Sequence, residues 1–228
     1  MLVAACNGGR EAPATAGSAD SAGLGSAAPD PGDQRPAVVF FGTSLTAGLG
    51  VDPDEAYPAI IQQKFDSAGV GVRVVNAGLS GETSAAGLRR IDWILQKPVS
   101  VLVLELGAND ALRGLELRAA RDNLQQIINR TRARYPHVVV VIAGMQAPPN
   151  LGRRYTNEFK HIFVDLAREN HAALIPFLLQ GVGGYPGLNQ ADGIHPTPEG
   201  HRIVAENVWK VLVTVMPELR MRKDSSKK

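Results

Sequence analysis

Short apolar runs alternate with longer amphipathic stretches from about residue 37 to residue 216. Val38 to Phe41 is β-branched and aromatic with no polar alternation, so it reads as a strand buried on both faces. Val72 to Asn76, Val99 to Leu106, His137 to Ala143 and Ala173 to Phe177 read as four more strands. Helices are expected between them: Tyr57 to Ala68, with Ile60, Ile61 and Phe65 at helical spacing, then Ala85 to Leu95, Arg118 to Arg134 and Tyr155 to Asn170. A last helix is expected from Pro198 to about Met216. Regular alternation of this kind implies right-handed crossovers and a parallel sheet covered on both sides. The predicted fold is α/β, a three-layer α/β/α sandwich on a five-stranded parallel sheet, flavodoxin-like in class and without an internal repeat.

The two ends do not share this pattern. From Asn7 to Pro36 the chain is mostly Gly, Ala, Ser, Pro and Asp with no aromatic residue. Such a segment cannot bury enough apolar surface to offset its ordering entropy, so residues 1–36 read as a linker behind a short apolar start. That start, Leu2-Val3-Ala4-Ala5-Cys6, resembles the end of a bacterial lipoprotein signal peptide, with Cys6 as the residue to be lipidated. A lipid there would attach the protein to a membrane and place it in the periplasm. Residues 218–228 read as a basic, frayed tail behind a folded domain spanning 37–217. The formal charge is +2, and Arg220 to Lys228 alone carries +4, which leaves the rest of the chain at −2. No aromatic residues interleave with the tail charges, so no nucleic-acid partner is expected. A single cysteine excludes an internal disulfide framework and any cysteine-based metal site. No stretch is long and apolar enough to span a bilayer as a helix.

Three expected strand ends carry polar residues that a packed core does not need: Gly42-Thr43-Ser44, Asn76 to Thr83, and Gly107-Ala108-Asn109-Asp110. Doubly wound topology brings such ends to one edge, where ligands bind. Ser44 is the candidate nucleophile. The backbone N–H groups of Ser44 and Gly81 and the side chain of Asn109 are candidate oxyanion donors, each worth about 3–4 kcal/mol of barrier when well placed. A serine nucleophile also needs a base. His195 stands three residues after Asp192 on a loop broken by Gly193 and Pro196, so the carboxylate can fold back onto the imidazole. The other four histidines read as structural, and no second ligand stands at metal spacing with His195. Absence of Gly-x-Ser-x-Gly argues against a nucleophile elbow, and the first loop lacks the glycine pattern of a phosphate cradle. The stretch Met145 to Arg154 reads as a loop on the same edge, with Pro148, Asn150 and Leu151 as candidate substrate-binding residues.

Taken together, Gly42-Thr43-Ser44-Leu45, Gly81, Gly107-Ala108-Asn109-Asp110 and Asp192-Gly193-Ile194-His195-Pro196 resemble the four blocks of the SGNH/GDSL esterases, in that family's order. Val75-Asn76-Ala77-Gly78, Glu105-Leu106-Gly107, Leu112-Arg113-Gly114 and Asn150 to Tyr155 are similar to its acyl-CoA thioesterase/lysophospholipase/arylesterase branch. The resemblance implies a monomeric, cofactor-free and metal-free hydrolase of small-molecule or lipid acyl esters, and of thioesters, acting through Ser44, His195 and Asp192. Carbohydrate O-acetylesterase is the alternative within this chemistry. A non-catalytic lipid- or carbohydrate-binding lipoprotein is the alternative outside it. The family usually has aspartate where this chain has Thr43, so support of the serine loop is expected to differ while the reacting groups stay.

Overall fold

Five strands pair in parallel into one sheet of order β2-β1-β3-β4-β5: β1 Ala37–Gly42, β2 Arg73–Asn76, β3 Val101–Glu105, β4 Val139–Ala143 and β5 Ala173–Ile175. The protein is represented by a computed structural model that describes residues 33–225. Cys6 and nearly all of the expected linker lie outside the described residues. The three central strands are buried along their whole length, whereas β2 and β5, at the edges, are partly exposed. Uninterrupted apolar sequence is therefore the signature of the strands covered on both faces.

Among the described residues, seven helices connect and cover the sheet: α1 Ser44–Ala47, α2 Tyr57–Ser67, α3 Ser84–Ile94, α4 Ala108–Leu112, α5 Leu117–Arg134, α6 Arg153–Glu169 and α7 Pro198–Ser225. The chain leaves β1 for β2 in one direction and then crosses to β3, β4 and β5 in the other. Right-handed crossovers therefore put α2 on one face and α3, α5 and α6 on the opposite face. The last helix returns to pack beside α2, where the rings of Phe65 and Trp209 meet edge to face with centroids 5.1 Å apart. Helix α5 buries Leu117, Ala120, Leu124, Ile127, Ile128 and Thr131, one stripe at helical spacing.

Beyond shifts of a residue or two at strand ends, the helices differ from the sequence expectation in several places. The turns α1 and α4, four and five residues long, are too short to show a periodicity. Helix α6 begins at Arg153, where Gly152 ends a single 3-10 turn over Pro149–Leu151. Helix α7 continues past Met216 and through Pro217 to Ser225, so most of the expected frayed tail is helical. Glu218 to Lys223 are mostly strong helix formers.

The reversal of crossover direction falls between β1 and β3, and in open α/β sheets the crevice at the carboxyl ends of such neighbours is the binding place. Residues after β2 are drawn to the same crevice, because Ala77 donates its N–H to Phe40 O at 2.8 Å and Leu79 to Gly42 O at 2.9 Å. At Gly78 the backbone passes so close to α1 that an added Cβ would stand 2.2 Å from the Ala47 nitrogen. Gly78→Ala is therefore expected to cost about 2–3 kcal/mol, backbone against backbone. Gly69→Ala, at φ +65° with open space around it, should cost about 1 kcal/mol. Urea denaturation of the two variants measures the difference, and equal losses would contradict it.

Candidate active site

Ser44 follows β1 directly and opens α1, with Thr43 as the N-cap residue in extended conformation. The first N–H of a helix has no partner inside it, and the Ser44 N–H donates to no other described residue. Its side chain is engaged: Ser44 Oγ lies 2.8 Å from His195 Nε2. On the far side of the ring, His195 Nδ1 is 2.6 Å from Asp192 Oδ2. The structure thus joins the three expected residues in one line of hydrogen bonds, from two segments about 150 positions apart.

The acid and the base form a compact turn. Asp192 Oδ1 accepts the backbone N–H of Ile194 at 2.9 Å and of His195 at 3.0 Å, leaving Oδ2 for the imidazole. Hydrogen bonding from the His195 side chain, reinforced by those two backbone N–H groups, holds the Asp192 carboxyl well below the usual carboxylate range. An Asp192 that stays ionised keeps Nδ1 protonated, so Nε2 is the nitrogen left to accept the serine proton. The imidazole side chain is 16% exposed and the carboxylate 45%, so substrate reaches this site from solvent.

Gln190 sets where that turn sits. Its Nε2 donates to Leu49 O at 2.7 Å and to Pro196 O at 3.0 Å, and its backbone N–H donates to His195 O at 2.7 Å. One side chain therefore straps the histidine loop to the segment that leaves α1. Gln190 stands two residues before the last motif, and nothing in the spacing reveals that its partner is Leu49.

On the other side of Ser44, Gly81 adopts φ +77°, a conformation that favours glycine. Its N–H also donates to no described residue, while its carbonyl accepts from Arg113 Nη2 at 2.9 Å. Asn109, in α4, donates one amide hydrogen to Glu82 O at 3.0 Å, which leaves its second N–H for a ligand. Buried Asp110 accepts from the Ser84 N–H at 2.8 Å and its hydroxyl at 2.6 Å, pinning the Gly81 loop to the helix that carries Asn109. Buried Glu82 is paired with Arg90, which also donates to Ala77 O and lies over the Phe41 ring at 4.6 Å. The arrangement provides a hydroxyl, an aligned base and donors at neighbouring strand ends, the parts that acyl transfer requires.

The expected substrate loop is less closely tied to this group. Leu151 lines a cavity of about 540 Å³ with Glu116, Arg153, Arg154, Tyr155 and Glu158. Pro148 and Asn150 do not line it, nor do Ser44 and His195. The loop reaches the Asn109 side of the site through Tyr155, whose hydroxyl donates to Leu115 O at 3.2 Å. Among the described residues no cluster of three His, Cys, Asp or Glu side chains could hold a metal ion.

Residues 40–203 match the model of the GDSL-like lipase/acylhydrolase family. The chain is 41% identical over 177 residues to Esterase TesA of Pseudomonas aeruginosa, covering 77% of this chain and 87% of that one. It is 36% identical to Thioesterase 1/protease 1/lysophospholipase L1 of Escherichia coli, over 77% of this chain and 82% of that one. A crystal structure of TesA superposes with a TM-score of 0.75 at 38% identity, covering 80% of this chain and 99% of that one.

If Gln190 positions the base, Gln190→Ala should slow phosphonylation of Ser44 by a fluorophosphonate about 10–100-fold, a penalty typical of misplaced reacting groups. Its thermal midpoint should shift by only a few degrees. Labelling at the wild-type rate would show that the loop holds its place without the strap.

Proposed function

This chain belongs to the GDSL-like lipase/acylhydrolase family, and from that membership we propose a residue-level course for its serine esterase activity. Its reaction is the hydrolysis of carboxylic esters. Ser44 is the nucleophile, His195 the general base and acid, and Asp192 the group that orients the imidazole. The observation that carries this assignment is the continuous line Ser44 Oγ to His195 Nε2 at 2.8 Å and His195 Nδ1 to Asp192 at 2.6 Å.

In the first half of the reaction Ser44 Oγ attacks the acyl carbonyl as its proton passes to His195 Nε2. The carbonyl oxygen gains negative charge and is received by the N–H groups of Ser44 and Gly81 and the free amide hydrogen of Asn109. The tetrahedral adduct collapses as His195 returns the proton to the departing alcohol or thiol. Water, deprotonated by the same nitrogen, then releases the acid from the acyl-enzyme and restores the serine. Asp192 remains a carboxylate throughout and stabilises the imidazolium.

Acyl esters with apolar chains, including aryl esters and lysophospholipids, are the substrate class we favour, with acyl thioesters as a second leaving-group class. The printed activities of the relatives, esterase and thioesterase/lysophospholipase, support this reading. Exposed Leu79 and Ile194, adjacent in sequence to the two loops that flank Ser44, offer apolar surface to an acyl chain. Attachment to a membrane through Cys6 remains a proposal of the sequence, tested by mass spectrometry of the mature protein.

Hydrolysis of p-nitrophenyl esters from acetate to palmitate is expected to peak at medium chain length. Ser44→Ala should remove the activity, and Asp192→Asn should lower kcat by about 10²–10⁴-fold through the wrong imidazole tautomer. Activity confined to acetate would favour carbohydrate O-acetyl esters, and rates that survive Ser44→Ala would overturn the assignment of the nucleophile.

A further inference from the structure

Behind the nucleophile turn lies a carboxylate that the reaction does not consume. Glu105, the last residue of β3, is fully buried, and among the described residues no cation forms an ion pair with it. Three donors converge on it instead. The Thr43 N–H donates to Oε2 at 2.8 Å, the Thr43 hydroxyl lies 3.0 Å from Oε1, and the Thr46 hydroxyl donates to Oε2 at 2.7 Å. Because Thr46 gives its hydrogen to Glu105, its oxygen accepts from the buried Tyr57 hydroxyl, 2.7 Å away. Every hydrogen bond in this chain points toward Glu105, an arrangement that suits an ionised carboxylate and a protonated one only after a hydroxyl turns round.

The carboxylate occupies the space that Gly42 leaves open: a Cβ on Gly42 would stand 2.5 Å from Glu105 Oε2 and 2.1 Å from Thr46 Oγ1. Glu105 thus grips the residue before Ser44 and the residue two after it. Those grips hold the Gly42–Thr43 peptide and the side chains of Thr43 and Thr46, and so brace the turn on both sides of Ser44.

We propose that Glu105 is a positioning residue for catalysis, an anionic anchor that holds Thr43 and Thr46 and thereby fixes Ser44 for attack. The inference rests on the esterase assignment of Ser44.

The anchor is sensitive to protons. Burial raises the Glu105 pKa to about 7, against the lowering effect of hydrogen bonds from Thr43 and Thr46. The surrounding groups keep their charge near that value. Tyr57 of α2 is pushed well above its ordinary value by burial and by Glu105, and His201 of α7, stacked on Tyr57, is lowered by burial to about 4. Arg90 of α3 is already paired with Glu82. The fully active form therefore has the Glu105 carboxylate ionised. Its protonation should remove about tenfold of kcat as the pH falls through about 7, a step additional to whatever the serine–imidazole pair itself contributes.

Glu105→Gln keeps the shape and removes the charge. Assayed on p-nitrophenyl butyrate from pH 5 to 9, it is expected to lower kcat at pH 8 about 10-fold with KM within twofold of wild type. Its pH profile should lack the step near pH 7, so that the two enzymes converge at acid pH. Should this variant fail to fold by circular dichroism, Thr43→Val carries the test, since it removes only one hydroxyl from the anchor and should lower kcat about threefold or more at constant KM. A folded variant with wild-type kcat at pH 8, or one whose deficit is as large at pH 5 as at pH 8, overturns the proposal. Ser44→Ala in the same assay separates the two readings: activity that survives it defeats the nucleophile assignment, whereas inactive Ser44→Ala beside an unaltered Glu105→Gln defeats only the anchor.

Discussion

The parallel pairing of β1 with β3 is the constraint on which the site depends. Its register sets Gly42 opposite Glu105 at the last rung of both strands, so one strand ends without a side chain where the other ends with a carboxylate. Because the crossover direction reverses at this pair, no helix covers the gap above it, and Ser44 and Asn109 emerge side by side. The segment after β2 joins them by extending its hydrogen bonds along β1 as far as Gly42. A slip of one residue in the β1–β3 ladder would turn every side chain of β1 to the opposite face and separate Gly42 from Glu105.

Much of this was legible in the chain. The apolar runs at Val38 to Phe41 and Val101 to Leu104 are buried on both faces and carry no polar alternation to confuse them with edge strands. Ser44, Asp192 and His195 stood out because a serine, an aspartate and a histidine beside turn-forming residues have little to do in a core. What the sequence concealed has a common cause. Glu105 closes an apolar strand and looks like an ordinary polar end, because a buried carboxylate is recognised only by its donors, which lie some 60 positions earlier. Gln190, Asp110 and Arg113 act through backbone groups on other segments, and such partners leave no trace in local spacing. Helix α7 passes Pro217 although a proline there removes an N–H donor and ordinarily ends a helix, so the tail was not legible as helix.

Polar groups near the site are distributed by what they must do. Glu82 and Arg90 neutralise each other and brace the Gly81 loop, while Asp110 is spent on Ser84. Glu105 and Asp110 both have only uncharged donors, and of the two it is Glu105 that lies directly beneath the nucleophile turn. A charge held this way is costly to bury, and its retention next to the nucleophile is the kind of local conflict expected where function outweighs stability.

Asp192 and His195 belong to one short turn whose internal hydrogen bonds are complete before Ser44 is considered. The reacting centre is consequently a two-part assembly: a prefabricated acid–base cartridge, and a nucleophile seated on the sheet. Only one separation, imidazole to hydroxyl, remains to be adjusted between the parts. Loop insertions or exchanges on the cartridge side can reshape access for new acyl groups while the pairing of acid with base travels along intact, which makes this edge a place where specificity can drift faster than chemistry.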